Sequence, residues 1–594
     1  MSKFNERHTS FSWDARPLRQ STSIRIGTLY IAIALSVVLM ALPVSATNCS
    51  NDVQTSWFNW FGITPSENLT WSNCYDTFQC ARLSVPLDYS QPNGEKAAIA
   101  MLKLSAKVAP GNSTYRGPIL INPGGPGGSG VSTVLSTGVQ LQTILGDEFD
   151  ILGFDPRGVN FTTPSLNIFQ TKSEQAAWNT DHVVVLNATV DALGYQYARS
   201  QIIGQFADNR TRHSAEHIGT PTVARDMLSI VKAHGMDKLQ YWGFSYGSVL
   251  GATFAAMFPE NVGRLAIDGV ADSDAYYAAQ YAGDIAMADD ALLNLYDACV
   301  AAGPTACPLH DTSSALIKKR VDQLLESLKT TPIPYYNPAT NEYAVIDFSF
   351  TKTFMRLALY QLHSDGSALV AALAELEKGN PEPIFLFGGG VDQKDQLACD
   401  CSSTSPFLPS TAGLEVTAAS GCGDATVVNA TVSDLKAELQ AESNISSFED
   451  VWDALRVFCA GWKVQSTDKF TGNFSVAGAY NTSFPLLVIG NTIDPATPLT
   501  SAQKMSRAFK GSVLLTQNSA GHTSLSATSL CTATNVRNYF RNGTLPANGT
   551  VCQTESSIFG GATSASRRAV NPEDSEILHA VQGLQEKYFI HTGF

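Results

Sequence analysis

One short stretch of the chain has the residue types and spacing of a nucleophilic serine site. Gly243–Gly247 reads G-F-S-Y-G and lies between an apolar segment and a segment rich in small residues. Between a strand and a helix, glycines at both ends of such a motif permit a sharp turn that exposes the serine hydroxyl. The motif therefore predicts Ser245 as a nucleophile; the alternative is a tight strand–helix turn with an ordinary capping serine.

A serine nucleophile needs a general base, and the base needs a carboxylate that orients it. Asp494 follows an apolar segment that ends at Gly490, and His522 lies in a glycine-flanked loop after another that ends near Thr516. Taken alone, Asp494 would more commonly be a turn or helix-capping residue. The order serine, acid, histidine, with each residue after a strand, predicts a Ser245/Asp494/His522 triad.

A glycine-rich loop supplies the fourth element of this chemistry. Asn122–Gly130 reads N-P-G-G-P-G-G-S-G, and its glycines allow backbone N–H groups to point at a developing oxyanion. We predict Gly124 or Gly125 as one donor and the N–H of Tyr246 as the other. The loop lacks the Gly-Lys-Ser/Thr ending of a phosphate-binding P-loop and the pattern of a dinucleotide-binding loop. No cofactor is predicted.

These residues require a scaffold in which strands alternate with helices. Short apolar, β-branched runs predict strands, and amphipathic or small-residue-rich stretches predict helices. The predicted strands cover 117–122, 149–154, 238–242, 264–268, 484–490 and 512–516, and the predicted helices near the site cover 220–234 and 248–258. This alternation is typical of an α/β fold with a mostly parallel sheet flanked by helices.

The alternation stops between residues 271 and 465. Helical patterns occupy 288–300, 314–328, 348–362 and 366–378, and a Gly/Ser/Cys-rich part follows at 386–425. We predict a large, mainly helical cap inserted over the carboxyl edge of the sheet. The predicted organisation is a targeting segment (1–46), the first part of the core (47–270), the cap (271–465), the second part of the core (466–560), and a polar tail (561–594) with a short helix at 572–587.

The N-terminus carries the pattern of an export signal. A basic leader (1–25) precedes an apolar run (26–42) and the small residues Val44 and Ala46. This order predicts a secretory signal cut after Ala46. The alternative is an uncleaved type II membrane anchor. Either one places residues 47–594 outside the cytosol.

Glycosylation motifs and cysteines agree with export. Twelve Asn-x-Ser/Thr sequons occur, a number that fits a glycosylated extracellular protein. The eleven cysteines lack metal-ligand spacing, so we predict disulfides rather than a metal site. The predicted bridges are Cys74–Cys80, Cys299–Cys307, Cys531–Cys552 and one from the group Cys399/Cys401/Cys422, with Cys49 as a candidate unpaired thiol.

The composition excludes several classes of protein. The 594 residues carry a net charge of −14, which argues against a nucleic-acid binder. Charged residues are only 15% and hydrophobic residues 44%, so most of the chain can bury a core and is not disordered.

Together these motifs resemble those of the α/β-hydrolase serine peptidases of the proline iminopeptidase and tripeptidyl aminopeptidase group. The resemblance rests on the segments Asn122–Gly130, Asp155–Gly158, Gly243–Gly247, Gly490–Pro498 and Gly521–His522, and on Cys459–Trp462, which looks like a mark of a tripeptidyl aminopeptidase-like C-terminal region. It implies an α/β-hydrolase fold with a cap, the Ser245/Asp494/His522 triad, no cofactor, and cleavage of peptides near a free N-terminus.

One segment departs from the family pattern. Residues 155–165 read D-P-R-G-V-N-F-T-T-P-S, where the family tends to keep another glycine and a serine. We expect Arg157 to form a structural ion pair. The departure creates a sequon at Asn160, for which we predict no glycan if the loop packs near the site.

Three functions are compatible with these features. The first is a secreted serine aminopeptidase acting on peptides with a free N-terminus. The second is a carboxylesterase or lipase, because the same triad serves esters and the fold does not separate the two. The third is a non-catalytic extracellular binding module. Asp272 and Asp274 could bind a substrate ammonium but are more typical of solvated loop acids, so we do not assign them.

Overall fold

The computed structural model describes residues 58–180, 185–389, 414–560 and 571–587. Its centre is a ten-stranded sheet with the order β1-β2-β3-β5-β4-β6-β7-β10-β11-β12. The strands of this sheet are β1 (Ser72–Cys74), β2 (Phe78–Pro86), β3 (Lys96–Leu104), β4 (Pro118–Asn122), β5 (Asp150–Phe154), β6 (Leu239–Phe244), β7 (Val262–Asp268), β10 (Leu487–Ile493), β11 (Val513–Ala520) and β12 (Val551–Cys552).

The sheet is mostly parallel. From β5 across to β12 every neighbouring pair is parallel, whereas β1, β2 and β3 pair in antiparallel fashion and β3 joins β5 antiparallel. All residues of β4 and β5 are buried, as expected for strands covered by helices on both faces. The α/β-hydrolase fold with a mostly parallel sheet is therefore confirmed.

Each of the six predicted strands is present, with boundaries within a few residues of those expected. The prediction omitted β1–β3 and β12. The first three pair in antiparallel fashion, and no helix separates them, so strand–helix alternation does not reveal them. β12 has two residues, too few for a detectable pattern.

Helices cover both faces of the sheet. Outside the segment between β7 and β10 the described helices are α1 (Gly130–Leu145), α2 (Lys172–Thr180), α3 (Ala192–Phe206), α4 (Arg212–Ala215), α5 (Thr220–Ala233), α6 (Tyr246–Met257), α17 (Leu499–Ala508), α18 (Leu530–Asn542) and α19 (Pro572–Lys587). Successive residues of β4 point to opposite faces: Leu120 packs in the core that contains α5 and α6, and Ile119 in the core that contains α1, α18 and α19.

The predicted helix at 572–587 is present as α19. Ile577, Val581 and Leu584 of this helix are buried in the same core as α1. This part of the predicted polar tail is therefore packed onto the sheet domain.

The chain between β7 and β10 is mainly helical. It contains α7 (Ser273–Tyr277), α8 (Ala288–Ala306), α9 (Ser314–Thr330), α10 (Phe348–Tyr360), α11 (Leu362–Leu376), α12 (Glu382–Phe387), α13 (Leu414–Asp424), α14 (Val432–Glu442), α15 (Glu449–Trp452) and α16 (Ala454–Gly461), with a hairpin of β8 (Ile333–Asn337) and β9 (Glu342–Ile346). The hairpin was not predicted, and it forms a separate two-stranded sheet. Leu292, Leu359 and Leu373 lie in a third hydrophobic core. We keep 271–465 as the proposed extent of the cap.

Four disulfides link the described cysteines. The predicted bridges Cys74–Cys80, Cys299–Cys307 and Cys531–Cys552 are present. The fourth does involve the predicted group, but Cys422 pairs with Cys459, 37 positions away, and so joins α13 to α16. Cys49, Cys399 and Cys401 lie outside the described residues. Four disulfides fit an extracytoplasmic location.

The predicted signal or anchor falls on residues 1–46, which lie outside the described residues. Within the ranges that the structure describes, no helix has the length and apolar character needed to cross a membrane.

Candidate active site

Ser245 lies in a sharp turn between β6 and α6. Its backbone has φ 58° and ψ −123°. Residues other than glycine rarely adopt this conformation, and where they do it is often at a functional site. A Cβ added at Gly243 would lie 2.5 Å from the carbonyl oxygen of Gly247, and one at Gly247 would lie 2.9 Å from that of Asn122. Glycine is thus required at both positions because neighbouring backbone atoms leave no room for a Cβ, as the motif predicts.

His522 and Asp494 form a fully buried hydrogen-bonded pair. The Nδ1 of His522 lies 2.9 Å from Oδ1 and 3.1 Å from Oδ2 of Asp494, and both residues have 0% exposure. The strands β10 and β11 place them, since Asp494 directly follows β10 and His522 comes two residues after β11. The structure therefore brings the predicted acid and base together.

Backbone and side-chain donors surround the Asp494 carboxylate. The N–H groups of Ala496 and Thr497 donate to Oδ1 at 3.0 and 2.8 Å, and the N–H of Thr523 donates to Oδ2 at 3.0 Å. The hydroxyl of Thr497 also lies 3.1 Å from His522 Nδ1. These contacts fix the orientation of the Asp494 carboxyl group, and its contact with Nδ1 in turn orients the imidazole of His522.

The opposite nitrogen of the imidazole is available for proton transfer. His522 Nε2 is buried and has no hydrogen-bond partner among the described residues. A Cβ added at Gly269 would lie 3.3 Å from His522 Cε1, and the preceding residue, Asp268, accepts the backbone N–H of Ser245 through its carbonyl oxygen at 2.9 Å. The imidazole thus lies beside the segment that holds the serine turn.

Asp268 also connects the serine turn to the histidine loop. Its carboxylate accepts the backbone N–H of Ser524 at 2.8 Å and is contacted by the Ser524 hydroxyl. Burial raises the pKa of this carboxyl to about 6. Sequence analysis included Asp268 only as the end of a strand, because nothing in the local pattern marks its contact with a residue 256 positions away.

The glycine-rich loop packs directly on the serine turn. A Cβ added at Gly124 would lie 2.8 Å from Ser245 Cβ and 3.2 Å from the backbone N of Tyr246. The N–H of Gly124 donates to the side-chain oxygen of Asn122 at 3.0 Å, whereas the N–H of Gly125 has no acceptor among the described residues. Of the two predicted donors, Gly125 is therefore the one whose N–H is not already engaged in a hydrogen bond with a described residue.

The segment after β5 that departs from the family pattern, residues 155–165, forms hydrogen bonds with the end of the glycine-rich loop. Asp155 accepts hydrogen bonds from the Ser129 hydroxyl and from the N–H of Val131, and Asn160 Nδ2 donates to Ser129 Oγ at 3.3 Å. Arg157 forms the expected ion pair, with Nε 2.7 Å from Asp226 Oδ2. Both partners of that pair are buried, which fits a structural role.

The acids considered for a substrate ammonium are already paired. Lys504 lies 2.6 Å from Asp272 and 2.9 Å from Asp274. Asp284 differs from them: it is half-buried, and no cationic side chain of the described chain pairs with it. Burial raises the pKa of its carboxyl well above the usual range, and the negative charges of Asp272 and Asp494 raise it further. Sequence analysis did not single out Asp284.

Fold and site together define the class of protein. Residues 117–395 match the family model described as "alpha/beta hydrolase fold", and residues 444–552 match the one described as "TAP-like protein". The chain is an α/β hydrolase with a TAP-like C-terminal region. The latter match includes Cys459–Trp462, the segment from which such a region was predicted.

Three curated relatives are similar over most of their length. The serine protease Hip1 of Mycobacterium tuberculosis is 26% identical over 490 residues, which are 80% of this chain and 87% of that protein. The tripeptidyl aminopeptidase of Streptomyces lividans is 26% identical over 487 residues (80% and 83%). Carboxylesterase B of M. tuberculosis is 29% identical over 501 residues (81% and 89%). At this coarse level the chain is a serine hydrolase of the group that contains these relatives.

Proposed function

We propose that this protein is a serine aminopeptidase that acts outside the cytosol and releases short peptides from the free N-terminus of its substrates. The observation that carries the proposal is the buried His522–Asp494 pair, whose imidazole lies against Gly269, the residue after the Asp268 carbonyl that accepts the Ser245 N–H. Peptides are favoured over esters because two of the three relatives are named as a protease or peptidase, and because Asp284, which has no cationic partner among the described residues, interacts electrostatically with Asp494.

The proposed reaction proceeds through an acyl-enzyme. Ser245 Oγ attacks the scissile carbonyl while His522 Nε2 takes its proton, and the resulting imidazolium is stabilised by Asp494. The N–H groups of Gly125 and Tyr246 bind the oxyanion. His522 then passes the proton to the leaving amine. A water molecule, activated by the same imidazole, hydrolyses the ester on Ser245 and releases the N-terminal peptide.

Recognition of a free N-terminus requires an acid that can accept an ammonium. We propose Asp284 for this role, because it is half-buried, lacks a cationic partner among the described residues and interacts electrostatically with Asp494. Asp272 and Asp274 are less suited, since both already pair with Lys504. A bound ammonium would supply the opposite charge that Asp284 lacks.

A second candidate function is that of a carboxylesterase. It is favoured by the 29% identity to carboxylesterase B and by the fact that the proposed triad and oxyanion donors would serve an ester equally well. A non-catalytic binding module is disfavoured, since such modules usually lack a triad member and Ser245, Asp494 and His522 are all present. For the location, we propose secretion after cleavage at Ala46, with a type II anchor as the alternative.

One assay separates these functions. The purified protein is incubated with a tripeptide p-nitroanilide that has a free amine, with its N-acetylated form, and with p-nitrophenyl esters. The proposal expects release of p-nitroaniline from the free amine and much less from the acetylated form. Activity confined to esters or to blocked peptides would instead support the esterase or an endopeptidase.

Two variants control this assay. Ser245→Ala is expected to abolish turnover with every substrate. Ser136→Ala removes a hydroxyl from the exposed face of α1 and is expected to leave turnover unchanged. Full activity in Ser245→Ala would refute the site, whichever substrate is used.

A further inference from the structure

Three carboxylates that the proposed reaction does not use converge in the predicted cap. Glu442 ends α14, Glu449 begins α15, and Asp453 directly precedes α16. One oxygen of each lies within 4.8 Å of one oxygen of each of the others. Like charges at such separations repel strongly, so the cluster is stabilised by bound protons or by a bound cation.

Glu449 is the most deeply buried carboxylate of the cluster. The residue is only 3% exposed, and its carboxylate oxygens have no partner other than the carboxyl group of Glu442, itself a member of the cluster. Asp453 is 5% exposed. Burying a carboxylate without donors is strongly unfavourable. The buried acids of the candidate active site, Asp494 and Asp268, instead accept hydrogen bonds from backbone N–H groups.

The cation nearest in sequence is committed elsewhere. Arg456 makes two hydrogen bonds of 3.0 Å to Glu438 and a third to the carbonyl oxygen of Ala279. Its charge acts on Asp453 and Glu442, but it donates to neither of them among the described contacts. Among the described residues, no cationic side chain therefore donates a hydrogen bond to any of the three carboxylates.

The chemistry of the cluster selects among metal ions. All three side chains offer hard oxygen ligands, and neither histidine nor cysteine takes part, which disfavours zinc. Oxygens up to 4.8 Å apart can share one ion at the 2.3–2.6 Å distance typical of Ca²⁺, while Mg²⁺ requires a tighter octahedron at about 2.1 Å. We propose that Glu442, Glu449 and Asp453 form a Ca²⁺-binding site, completed by backbone carbonyls and water.

The position of the site indicates what the ion would do. Beside Glu449, Asp450 pairs with Lys352 of α10 at 2.6 Å, and Trp452 Nε1 donates to the carbonyl oxygen of Tyr281. α16 carries Cys459, which is joined to Cys422 of α13. An ion held by the three acids would fix the ends of α14, α15 and α16 against these neighbours and so stabilise the cap, with no part in the chemistry at Ser245.

The test measures thermal unfolding of the purified full-length protein. After treatment with EDTA and desalting, the midpoint is recorded in CaCl₂, in MgCl₂ and in NaCl of equal ionic strength. Ligand binding to the folded state alone raises the midpoint, so we expect a rise with Ca²⁺ that exceeds those with Mg²⁺ and NaCl. Equal rises in the three salts would mean charge screening and would overturn the proposal, as would no rise at all.

Variants assign the effect to the cluster. Glu449→Gln and Asp453→Asn are each expected to lose the Ca²⁺-dependent rise and, without metal, to unfold at a higher temperature than the metal-free parent because the repulsion is reduced. Glu586→Gln removes an exposed carboxylate on α19 and should keep the full rise. A Ca²⁺-dependent rise that persists in both cluster variants would place the ion elsewhere and refute the site.

Binding can also be followed without unfolding the protein. Tb³⁺ replaces Ca²⁺ at oxygen sites and luminesces when a nearby tryptophan is excited, and Trp452 lies between Glu449 and Asp453 in the chain. We expect Tb³⁺ luminescence that added Ca²⁺ displaces and that Glu449→Gln loses. Luminescence unchanged in that variant would contradict the proposal. Because neither readout depends on turnover, failure of the proposed peptidase activity would leave this test intact.

Discussion

Tyr360 of α10 holds His522 from the side of the predicted cap. Its carbonyl oxygen accepts the backbone N–H of His522 at 2.8 Å, and its ring meets the imidazole edge-on with centroids 4.8 Å apart. Arg356 Nη2 donates to the Tyr360 hydroxyl at 2.7 Å. The segment between β7 and β10 therefore contacts the proposed catalytic base directly and helps to orient it.

Tyr360→Ala is expected to lower kcat/KM by about 10- to 100-fold, since a small displacement of a catalytic group can cost that much. Tyr360→Phe keeps the ring and the backbone contact and should retain most of the activity. The measurement is steady-state kinetics of both variants on the free-amine tripeptide substrate, with circular dichroism to verify folding. Equal losses in the two variants would show that the hydroxyl, and not the ring, positions His522.

The pH dependence of stability provides a second prediction. Burial raises the pKa of the Asp424 carboxyl to about 6, although Thr220, Tyr276 and Ser466 donate to it. Because the folded-state pKa lies above the unfolded value, the folded protein binds the extra proton between about pH 4 and pH 6. The contribution of Asp424 to the free energy of unfolding therefore falls as the pH rises through this window.

Asp424→Asn removes the carboxyl group that takes up this extra proton in the folded protein. The slope of the free energy of unfolding against pH should become less negative between pH 4 and 6, by up to about 1.4 kcal/mol per pH unit. Denaturant titrations at several pH values measure the slope, and Asp290→Asn, at an exposed position, is the control. If the free energy of unfolding changes with pH in the same way in Asp424→Asn and in the parent, the pKa of the Asp424 carboxyl is not raised in the folded protein.

The sequon at Asn160 is expected to carry no glycan. Its side chain donates to Ser129 Oγ at 3.3 Å, and its backbone has φ 43°, so glycosylation of Nδ2 would disrupt the contact with the loop that precedes α1. Asn548 lies at an exposed position and is the matched comparison. A glycopeptide map of the protein from a eukaryotic host should show occupancy at Asn548 and none at Asn160. Full occupancy at both would refute the prediction.

Local sequence patterns were sufficient to predict which residues lie at the ends of the strands. Ser245, Asp494 and His522 each follow a strand of the parallel sheet, and carboxyl ends of parallel strands share one edge. Motif and chain order could therefore predict which residues would lie near each other. The bridges between cysteines six, eight and 21 positions apart were predictable for a different reason, because their members are close in sequence.

Contacts across the insertion were not predictable in this way. Tyr360 reaches His522 from 162 positions earlier in the chain, and Cys459 reaches Cys422 only because α13 and α16 pack together. Neither contact leaves a periodicity or a motif in the sequence. The same holds for Asp284, whose environment depends on Asp272 and Asp494 from separate elements.

Asp284 gives the sharpest test of how the enzyme would select its substrates. If its carboxylate binds the substrate ammonium, Asp284→Asn should raise KM for the free-amine tripeptide substrate by about 10-fold or more, because one charged hydrogen bond contributes about 1.5–3 kcal/mol. Turnover of p-nitrophenyl esters, which lack the ammonium, should change little. The two substrates are compared in the same preparation, so a folding defect would lower both.

A matched substitution separates this charge effect from a general change in surface charge. Asp290→Asn alters an exposed acid six positions away and should leave both KM values unchanged. If Asp284→Asn lowers ester and peptide turnover alike, Asp284 supports the site structurally. If it changes neither, the ammonium binds elsewhere, and the free-amine preference, where observed, must come from another acid.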